Sequence, residues 1–162
     1  MRKRIIELLL LLGIWMALVW SIHPADVIAG FLISFVIVLL FSDIFPVEIF
    51  KMFHPVRMFW FLLYIPVFFW AVIKSNLDVT YRVLHPEIPI RPGIVKVKTT
   101  LKSEIAKTFL ANSITLTPGT LTVDFIDDNL YVHWINIVSE DPEVETNIIV
   151  KKFEKYLKKV FD

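Results

Sequence analysis

The chain has 162 residues, of which 56% are hydrophobic, and its mean hydropathy is +0.66. This composition is too apolar for an ordinary soluble protein and is typical of a membrane protein. The chain contains no cysteine, which excludes disulfides, thiolate metal sites and thiol nucleophiles. Its net charge of +1 does not indicate the strongly basic surface that nucleic-acid binding requires.

The first predicted element is an apolar helix from Ile5 to Ile22, which follows the basic cluster Arg2-Lys3-Arg4. At about 1.5 Å per residue it is roughly 27 Å long, close to the thickness of a hydrocarbon core. A cleaved signal peptide is the alternative interpretation. We discount it because Trp15, Met16 and Trp20 replace the small residues that a cleavage site needs, and because a second apolar segment follows at once.

The second predicted element runs from Val27 to Phe41, after a short link in which Pro24 discourages a continuous helix. The two segments therefore predict a tight helical hairpin. Gly30 and Ser34 form a small-xxx-small pair that would let a neighbouring helix approach closely, although such pairs also arise by chance.

The third predicted element, from Met58 to Ile73, is rich in aromatic residues. Its length of roughly 24 Å is short for a span, and Pro66 removes a backbone donor near its middle. The segment either crosses the membrane tilted and kinked or lies partly in the interface, where Trp and Tyr are favoured. The sequence leaves both open, so it predicts two or three short transmembrane helices within residues 1–75.

The basic residues predict the orientation of these helices. Arg2 to Arg4 favour a cytoplasmic N-terminus, and Lys51 and Arg57 favour a cytoplasmic second loop, which two spans satisfy. Lys74 and Arg82 follow the third segment. We therefore expect a multi-pass protein of the cell membrane whose C-terminal domain is cytoplasmic.

The cores of the three apolar segments contain no Asp, Glu, Lys, Arg or His, whereas an ion or proton path usually requires such groups. The ionisable residues near the segment ends are expected to be solvated or to contact lipid headgroups; they are Glu7, His23, Asp26, Asp43, Glu48 and His54. This chain alone is therefore not expected to form a proton relay.

The second half of the chain is much more polar. Residues 74–162 hold twelve basic and twelve acidic side chains, against five and four in residues 1–73. Residues 76–92 are predicted to form a linker, amphipathic at first and then Pro-rich and extended. Residues 93–162 are predicted to form a small soluble α+β domain of split βαβ type, with the element order β-α-β-β-α.

Hydrophobic periodicity predicts which side chains of the domain face its core. A first strand places Val95, Val97 and Leu101 on one face, and a later strand alternates Leu121, Val123 and Phe125 with polar residues. These six side chains are expected to face inward.

The remaining elements are predicted from their end signals. A helix capped by Ser103 is expected to stop at Asn112-Ser113, and Thr117-Pro118-Gly119-Thr120 matches a type II turn. Asp127, Asp128 and Asn129 are expected to reverse the chain between two strands. One surface helix is predicted from Asp141-Pro142 to the C-terminus.

The residue types that support catalysis are few in this domain. Asp124, Asp127, Asp128 and His133 form its one cluster of acids and histidine, but they occupy a turn and ordinary polar-face positions rather than a convergent ligand set. No glycine-flanked nucleophile or phosphate-binding glycine loop occurs. The sequence therefore predicts no catalytic, cofactor or metal site.

The order of these elements, together with the stretches "LKSEIAKTFLANSITLTPGTLTVDF" and "LYVHWINI", resembles the E-type subunits of the Mrp (Mnh) multisubunit Na+/H+ antiporters. The resemblance covers nearly the whole chain, and "ANSITLTPGT" is its most specific part. It implies a non-catalytic accessory membrane subunit that supports the assembly and stability of a cation/proton antiporter, whose ion paths lie in larger subunits.

The resemblance also implies the partners, which are other Mrp-type subunits and the lipid bilayer. The same type of subunit occurs in Mrp-like modules of energy-converting complexes such as membrane-bound hydrogenases, so hydrogenase-like partners are an alternative. A membrane-tethered binding module is a further alternative. The family motif assigns a structural or docking role to Asn112, Ser113, Thr115, Thr117, Pro118, Gly119 and Thr120.

Overall fold

The computed structural model describes residues 2–42, 54–139 and 141–162. The chain divides into two compact units, Met1–Val47 and Glu48–Asp162. Within the described residues, two helices are long and apolar enough to cross a membrane, Pro24–Phe41 and Pro55–Leu84. Asp43 and Glu48, which the sequence placed near segment ends, lie outside the described residues.

The first unit is a helical hairpin, as predicted. Helix α1 (Arg2–Val19) packs against helix α2 (Pro24–Phe41), and Pro24 occupies the first turn of α2. The buried residues of α2 are Gly30, Ser34 and Val38, one turn apart. A Cβ atom on Gly30 would lie 2.3 Å from Cδ1 of Trp15, so the predicted small-residue seam is present and glycine is what lets the helices meet there.

A polar cluster closes the other end of the hairpin. Ser42 donates its hydroxyl to Oε2 of Glu7 at 2.6 Å, and Lys3 donates to the carbonyl of Ser42 at 2.6 Å. Glu7 is only 3% exposed. The prediction that Glu7 is solvated was wrong, because the antiparallel hairpin brings the start of α1 to the end of α2, where the carboxylate finds partners.

The second unit begins with one long helix, α3 (Pro55–Leu84), of 30 residues. It passes through Pro66 without interruption and includes residues 76–84, which the sequence assigned to a linker. At about 1.5 Å per residue it is roughly 45 Å long. Its last turns are supported by an ion pair between Arg82 Nε and Asp78 Oδ2 at 2.8 Å, and Arg82 also donates to the carbonyl of Pro89 at 2.6 Å.

The rest of the second unit has the predicted split βαβ arrangement. Its elements in chain order are β1 (Gly93–Lys98), α4 (Glu104–Thr115), β2 (Thr120–Ile126), β3 (Asn129–Trp134), α5 (Pro142–Ile149) and α6 (Lys151–Phe161). The strand order is β1-β3-β2, and β3 is antiparallel to both neighbours. Strands β1 and β2 are therefore parallel to each other, with the later strand inserted between them.

Two helix ends differ from the prediction. Helix α4 continues past Asn112-Ser113 to Thr115. Within the helix, Ser113 donates its hydroxyl to the carbonyl of Phe109, four residues earlier. The predicted C-terminal helix is divided at Val150, which is fully buried.

The inward face of β2 also differs from the prediction. Val95, Val97 and Leu101 are buried as expected, but Leu121 and Val123 are 50% and 54% exposed. The register between β2 and β3 shifts between Thr122 and Asp124. This β-bulge reverses the alternation, so that Phe125 still packs against the core, while Leu121 before the bulge and Val123 within it do not.

The core of the second unit lies between the sheet, α4, α6 and α3. Its fully buried members include Val97, Leu110, Leu130, Phe153 and Leu157. Tyr64 of α3 is 6% exposed and belongs to the same cluster. The segment that the sequence presented as a candidate span therefore supplies one wall of the domain core.

Candidate docking site

One face of α3 is covered by the domain. Trp60 and Tyr64 contact the rings of Tyr156 and Phe153 on α6, with centroids 6.4 Å apart in each pair. Arg57 donates to the carbonyl of Val160 at 2.9 Å, at the end of the same helix. Contacts spaced three or four residues apart along α3 thus hold the α+β domain against the first half of this helix.

The opposite face of α3 is apolar and exposed. Phe59, Leu62, Phe69, Trp70 and Ile73 are each between 50% and 68% exposed. No charged side chain occurs from Met58 to Ile73. An exposed apolar stripe of this length indicates a surface that is covered by lipid or by another chain.

The Thr-rich motif forms a hydrogen-bonded corner between α4 and β2. Thr117 donates its hydroxyl to the carbonyl of Ser113 at 2.7 Å, and Thr120 donates to the carbonyls of Ile114 and Thr117 at 2.7 and 2.8 Å. Gly119 has a φ of 86°, as the type II turn requires. These hydroxyls satisfy the backbone carbonyls that the end of α4 leaves free.

The predicted motif residues are in one place, but they divide into buried and exposed members. Ser113 and Thr117 are buried, and Pro118, Gly119 and Thr120 are partly buried. Asn112 and Thr115 are exposed. The exposed members are the ones whose side chains are most accessible to another protein.

Ser113 connects this motif to α3. Its hydroxyl forms a buried hydrogen bond with the phenol of Tyr64, 49 positions earlier in the chain. Tyr64 was not predicted as a site residue, since one aromatic residue within a uniformly apolar segment carries no distinct signal. Its spacing from Trp60 and Phe68, which contact the core as well, is the pattern that could have indicated a covered face.

A cavity of about 400 Å³ lies between α3 and the motif corner. Its walls include Trp70 and Lys74 of α3, Pro118 of the turn, Trp134 at the end of β3, and Lys152 of α6. Burial lowers the pKa of Lys152, and the positive charge of Lys74 lowers it further. This pair was not predicted, because the lysines of the C-terminal helix follow a pattern that is typical of a solvent-facing surface.

The outer face of the sheet carries a second exposed apolar surface. Ile94 of β1 and Leu121 of β2 flank His133 in register and are 62% and 50% exposed. Val123 and Ile126 extend this surface along β2. The bulge that turns the first part of β2 outward is what creates it.

The acids and histidine considered for metal binding do not converge. Asp127 and Asp128 form the two-residue turn between β2 and β3, and Lys107 lies 3.5 Å from Oδ1 of Asp128. Asp124 accepts a hydrogen bond from the backbone N–H of Phe125 at 2.7 Å. Among the described residues, no group of three His, Asp or Glu side chains is placed to hold a metal ion.

Comparison with known proteins gives consistent matches over nearly the whole chain. The family model MNHE, a Na+/H+ ion antiporter subunit, matches residues 8–160. The E1 subunit of the Na(+)/H(+) antiporter of Staphylococcus haemolyticus is 33% identical over 162 residues, covering 99% of this chain and 98% of that protein. The E subunit of the Na(+)/H(+) antiporter of Alkalihalophilus pseudofirmus is 33% identical over 139 residues, covering 82% of this chain and 85% of that protein.

A solved structure is also similar. A chain in the membrane-bound sulfane sulfur reductase, an archaeal respiratory membrane complex, superposes with a TM-score of 0.82 and is 42% identical. The match covers 99% of this chain and 100% of that chain. The two therefore share the fold from end to end.

Proposed function

This chain belongs to the family of Na+/H+ ion antiporter E subunits, and from that premise we propose that it is a non-catalytic accessory subunit of a multisubunit Na+/H+ antiporter assembly. The observation that carries the proposal is the match of the family model to residues 8–160. In this role the chain supports the assembly and stability of the complex, and its partners are other Mrp-type subunits and the lipid bilayer.

The composition of the helices supports a role outside the ion path. From Val27 to Phe41, α2 carries no charged side chain, and its buried positions are Gly30, Ser34 and Val38. The buried carboxylate of Glu7 is already engaged by Ser42 and lies 3.6 Å from the ammonium of Lys3. A proton or cation path usually requires ionisable groups within the membrane core, and the apolar stretches of these two helices, residues 8–19 and 27–41, carry no Asp, Glu, Lys, Arg or His.

The packing of α3 supports a specific topology, in which α1 spans the membrane as the packed partner of α2. In this topology α3, although long and apolar enough to cross, lies along the cytoplasmic surface. A spanning helix surrounded by lipid cannot also have Trp60 and Tyr64 packed against a soluble domain. The exposed stripe of α3 would enter the interfacial layer, where amphipathic helices and Trp side chains are stable. The basic residues Arg4 and Arg57 then lie on the cytoplasmic side, together with the α+β domain.

Two surfaces of the second unit are suited to contact neighbouring subunits. One comprises Asn112 and Thr115, the exposed members of the motif corner, and the other comprises Leu121 and Val123 on the outer face of the sheet. The first surface belongs to the motif to which the family resemblance assigns docking, and the second is an exposed apolar patch of the kind that is typical of interaction sites. The remaining motif residues contribute by fixing the corner rather than by direct contact.

A second candidate function is the same role within a Mrp-like module of an energy-converting membrane complex. It is favoured by the 42% identity, over 99% of this chain, to a chain of the archaeal sulfane sulfur reductase complex. In that setting the partners would include subunits of a redox enzyme. The proteins that copurify with a tagged chain distinguish the two settings.

Purification of the tagged full chain from its own membranes tests the proposal. The expected result is recovery of other antiporter-type subunits at a fixed stoichiometry, and no Na+ or H+ flux when the chain is reconstituted alone in vesicles. Ion flux by the isolated chain would instead make it a self-sufficient carrier. Recovery of the chain without polytopic partners would favour a membrane-tethered binding module.

A further inference from the structure

Two lysines from different elements face the same cavity. Lys74 lies on α3 and Lys152 on α6, and both line the space of about 400 Å³ beside the motif corner. Among the described residues, neither lysine forms an ion pair. Two like charges that face one cavity without a counter-charge create a site that favours an anion.

Among the described residues that line the cavity, Asp78 is the one acid, and it is already paired with Arg82. Both carboxylate oxygens of Asp78 accept hydrogen bonds from Arg82, at 2.8 Å from Nε and 3.0 Å from Nη2. Lys152 has an aromatic contact, with its Nζ 4.9 Å from the ring centroid of Phe153. A ring face partly compensates a charge but does not replace an anion.

Most of the remaining wall residues are apolar, and the hydroxyl residues Ser75, Thr117 and Thr120 also line the cavity. The apolar wall residues include Val67 and Trp70 of α3, Ile135 after β3, and Ile149 and Phe153 from the C-terminal helices. The volume is within the range of about 300–1,000 Å³ that is usual for small-molecule sites. A charged end and apolar walls together fit an amphiphile with an anionic head.

The position of the cavity along α3 identifies the kind of amphiphile. Lys74 directly follows the uncharged segment from Met58 to Ile73, and Trp70, which is 68% exposed, lies one turn before it. An α3 that lies along the membrane surface places Trp70 and Lys74 in the interfacial layer, where Trp side chains are stable and basic pockets bind anionic lipid headgroups. This step rests on the interfacial location of α3 that is part of the proposed function.

We propose that the cavity binds an anionic phospholipid, with Lys74 and Lys152 holding the phosphate and the apolar walls contacting the first methylene groups of an acyl chain. Such a lipid would attach the α+β domain to the bilayer beside α3. It would also supply the counter-charge that both lysines lack.

Native mass spectrometry of the purified full chain, released from detergent micelles, tests this site. The probes are phosphatidylglycerol, zwitterionic phosphatidylcholine and inorganic phosphate. We expect one phosphatidylglycerol to bind with a Kd at least about fivefold lower than that of phosphatidylcholine. The double variant Lys74→Gln, Lys152→Gln should lose this preference, whereas Lys74→Arg should keep it.

A matched control is the double variant Lys151→Gln, Lys155→Gln, which removes two exposed lysines of the same helix α6. The control is expected to change the Kd for phosphatidylglycerol less than about twofold. Equal losses in both double variants would overturn the proposal, because the lipid would then bind the general positive surface of α6. Equal affinity for the two lipids would overturn it as well.

Competition with inorganic phosphate distinguishes a site for a lipid phosphate group from a site for the free phosphate ion. Phosphate that competes with phosphatidylglycerol at equal affinity would make the cavity a site for the free ion and would contradict a lipid ligand.

Thermal unfolding checks the fold, because a variant that lacks the buried charge of Lys152 should melt no lower than the wild type. Copurification of the Lys74→Gln, Lys152→Gln chain with other subunits tests the proposed function separately.

Discussion

Gly30 and Gly13 occupy helices of the same hairpin but very different surroundings. A methyl group on Gly30 would lie 2.3 Å from Cδ1 of Trp15 and 2.8 Å from its Nε1, whereas one on Gly13 would meet no atom within 4 Å. The indole is itself held by a hydrogen bond from its N–H to the carbonyl of Asp26 at 3.0 Å. The ring is therefore not free to move aside.

We predict that Gly30→Ala destabilises the hairpin by about 1–3 kcal/mol through overpacking. Gly13→Ala is the matched control and should be neutral or slightly stabilising, because alanine is the better helix former. Denaturant unfolding of the purified full chain in detergent micelles measures both. Equal stability of the two variants would show that the helices do not meet at Gly30.

Glu145 has a buried carboxyl group, and loss of its proton destabilises the folded chain. It is 4% exposed, and burial, with a smaller contribution from the negative charge of Asp141, raises its pKa. Between its ordinary pKa and the raised value, the folded chain binds more protons than the unfolded chain. Stability therefore falls as pH rises through that window.

The expected result for Glu145→Gln is a higher melting temperature than the wild type at pH 7, with the difference disappearing below about pH 4.5, near the ordinary pKa of a glutamate. Glu143→Gln, an exposed position of the same helix turn, should show no such gain. Melting curves of the full chain between pH 4 and 8 measure this dependence. A variant that melts lower than the wild type at pH 7 would contradict it.

At the scale of elements, much of the fold could be predicted from the sequence. Val95 and Val97 alternate with exposed lysines in β1 and are buried. The Pro118-Gly119 step specifies its turn. In both places a local pattern determines the structure: hydrophobic residues at every second position specify the strand, and a Pro-Gly dipeptide specifies the turn.

The faces of β2 and α3 could not be predicted in the same way. A bulge between Thr122 and Asp124 shifts the register by one residue, which reverses every side chain before it, and no residue type marks its position. In α3, apolar residues occupy all faces, so the sequence does not distinguish Phe68, which faces the core, from the exposed Phe69. Which of the two phenylalanines is buried depends on how α3 packs against the rest of the second unit.

These two neighbouring phenylalanines test the packing of α3. Phe68 lies with its ring centroid 6.1 Å from Tyr64 and 6.3 Å from Phe153, whereas Phe69 is 58% exposed. We predict that Phe68→Ala destabilises the second unit by about 3 kcal/mol and Phe69→Ala by less than about 0.5 kcal/mol. Denaturant unfolding in micelles compares them, and similar losses at both positions would mean that α3 is not packed on the domain as described.

For the whole molecule, the location of α3 decides how many times the chain crosses the membrane. A spanning α3 places its two ends on opposite sides, and an interfacial α3 places both on the cytoplasmic side. The chain contains no cysteine, so single introduced thiols report their side without background. His54 and Glu87 flank the helix and are exposed.

We predict that His54→Cys and Glu87→Cys both react with a membrane-impermeant maleimide in inside-out vesicles and not in right-side-out vesicles. Ile22→Cys, in the link between α1 and α2, should show the reverse and serves as the control. Labelling of His54→Cys and Glu87→Cys from opposite sides would establish a third span.

In the proposed role, the α+β domain contributes to the assembly rather than to transport itself. Family membership extends over residues 8–160, so the domain is as much a part of the family as the helices are. Its two exposed surfaces, around Asn112 and around Leu121, are accessible to neighbouring subunits.

The most direct test of this claim is the subunit composition and Na+/H+ antiport of membranes from cells that lack the chain and are complemented with either the full chain or residues 1–92. We predict that the full chain restores both, and that removal of residues 93–162 leaves the complex incompletely assembled and antiport strongly reduced. A fully assembled complex with normal antiport in the presence of residues 1–92 alone would contradict the proposed role.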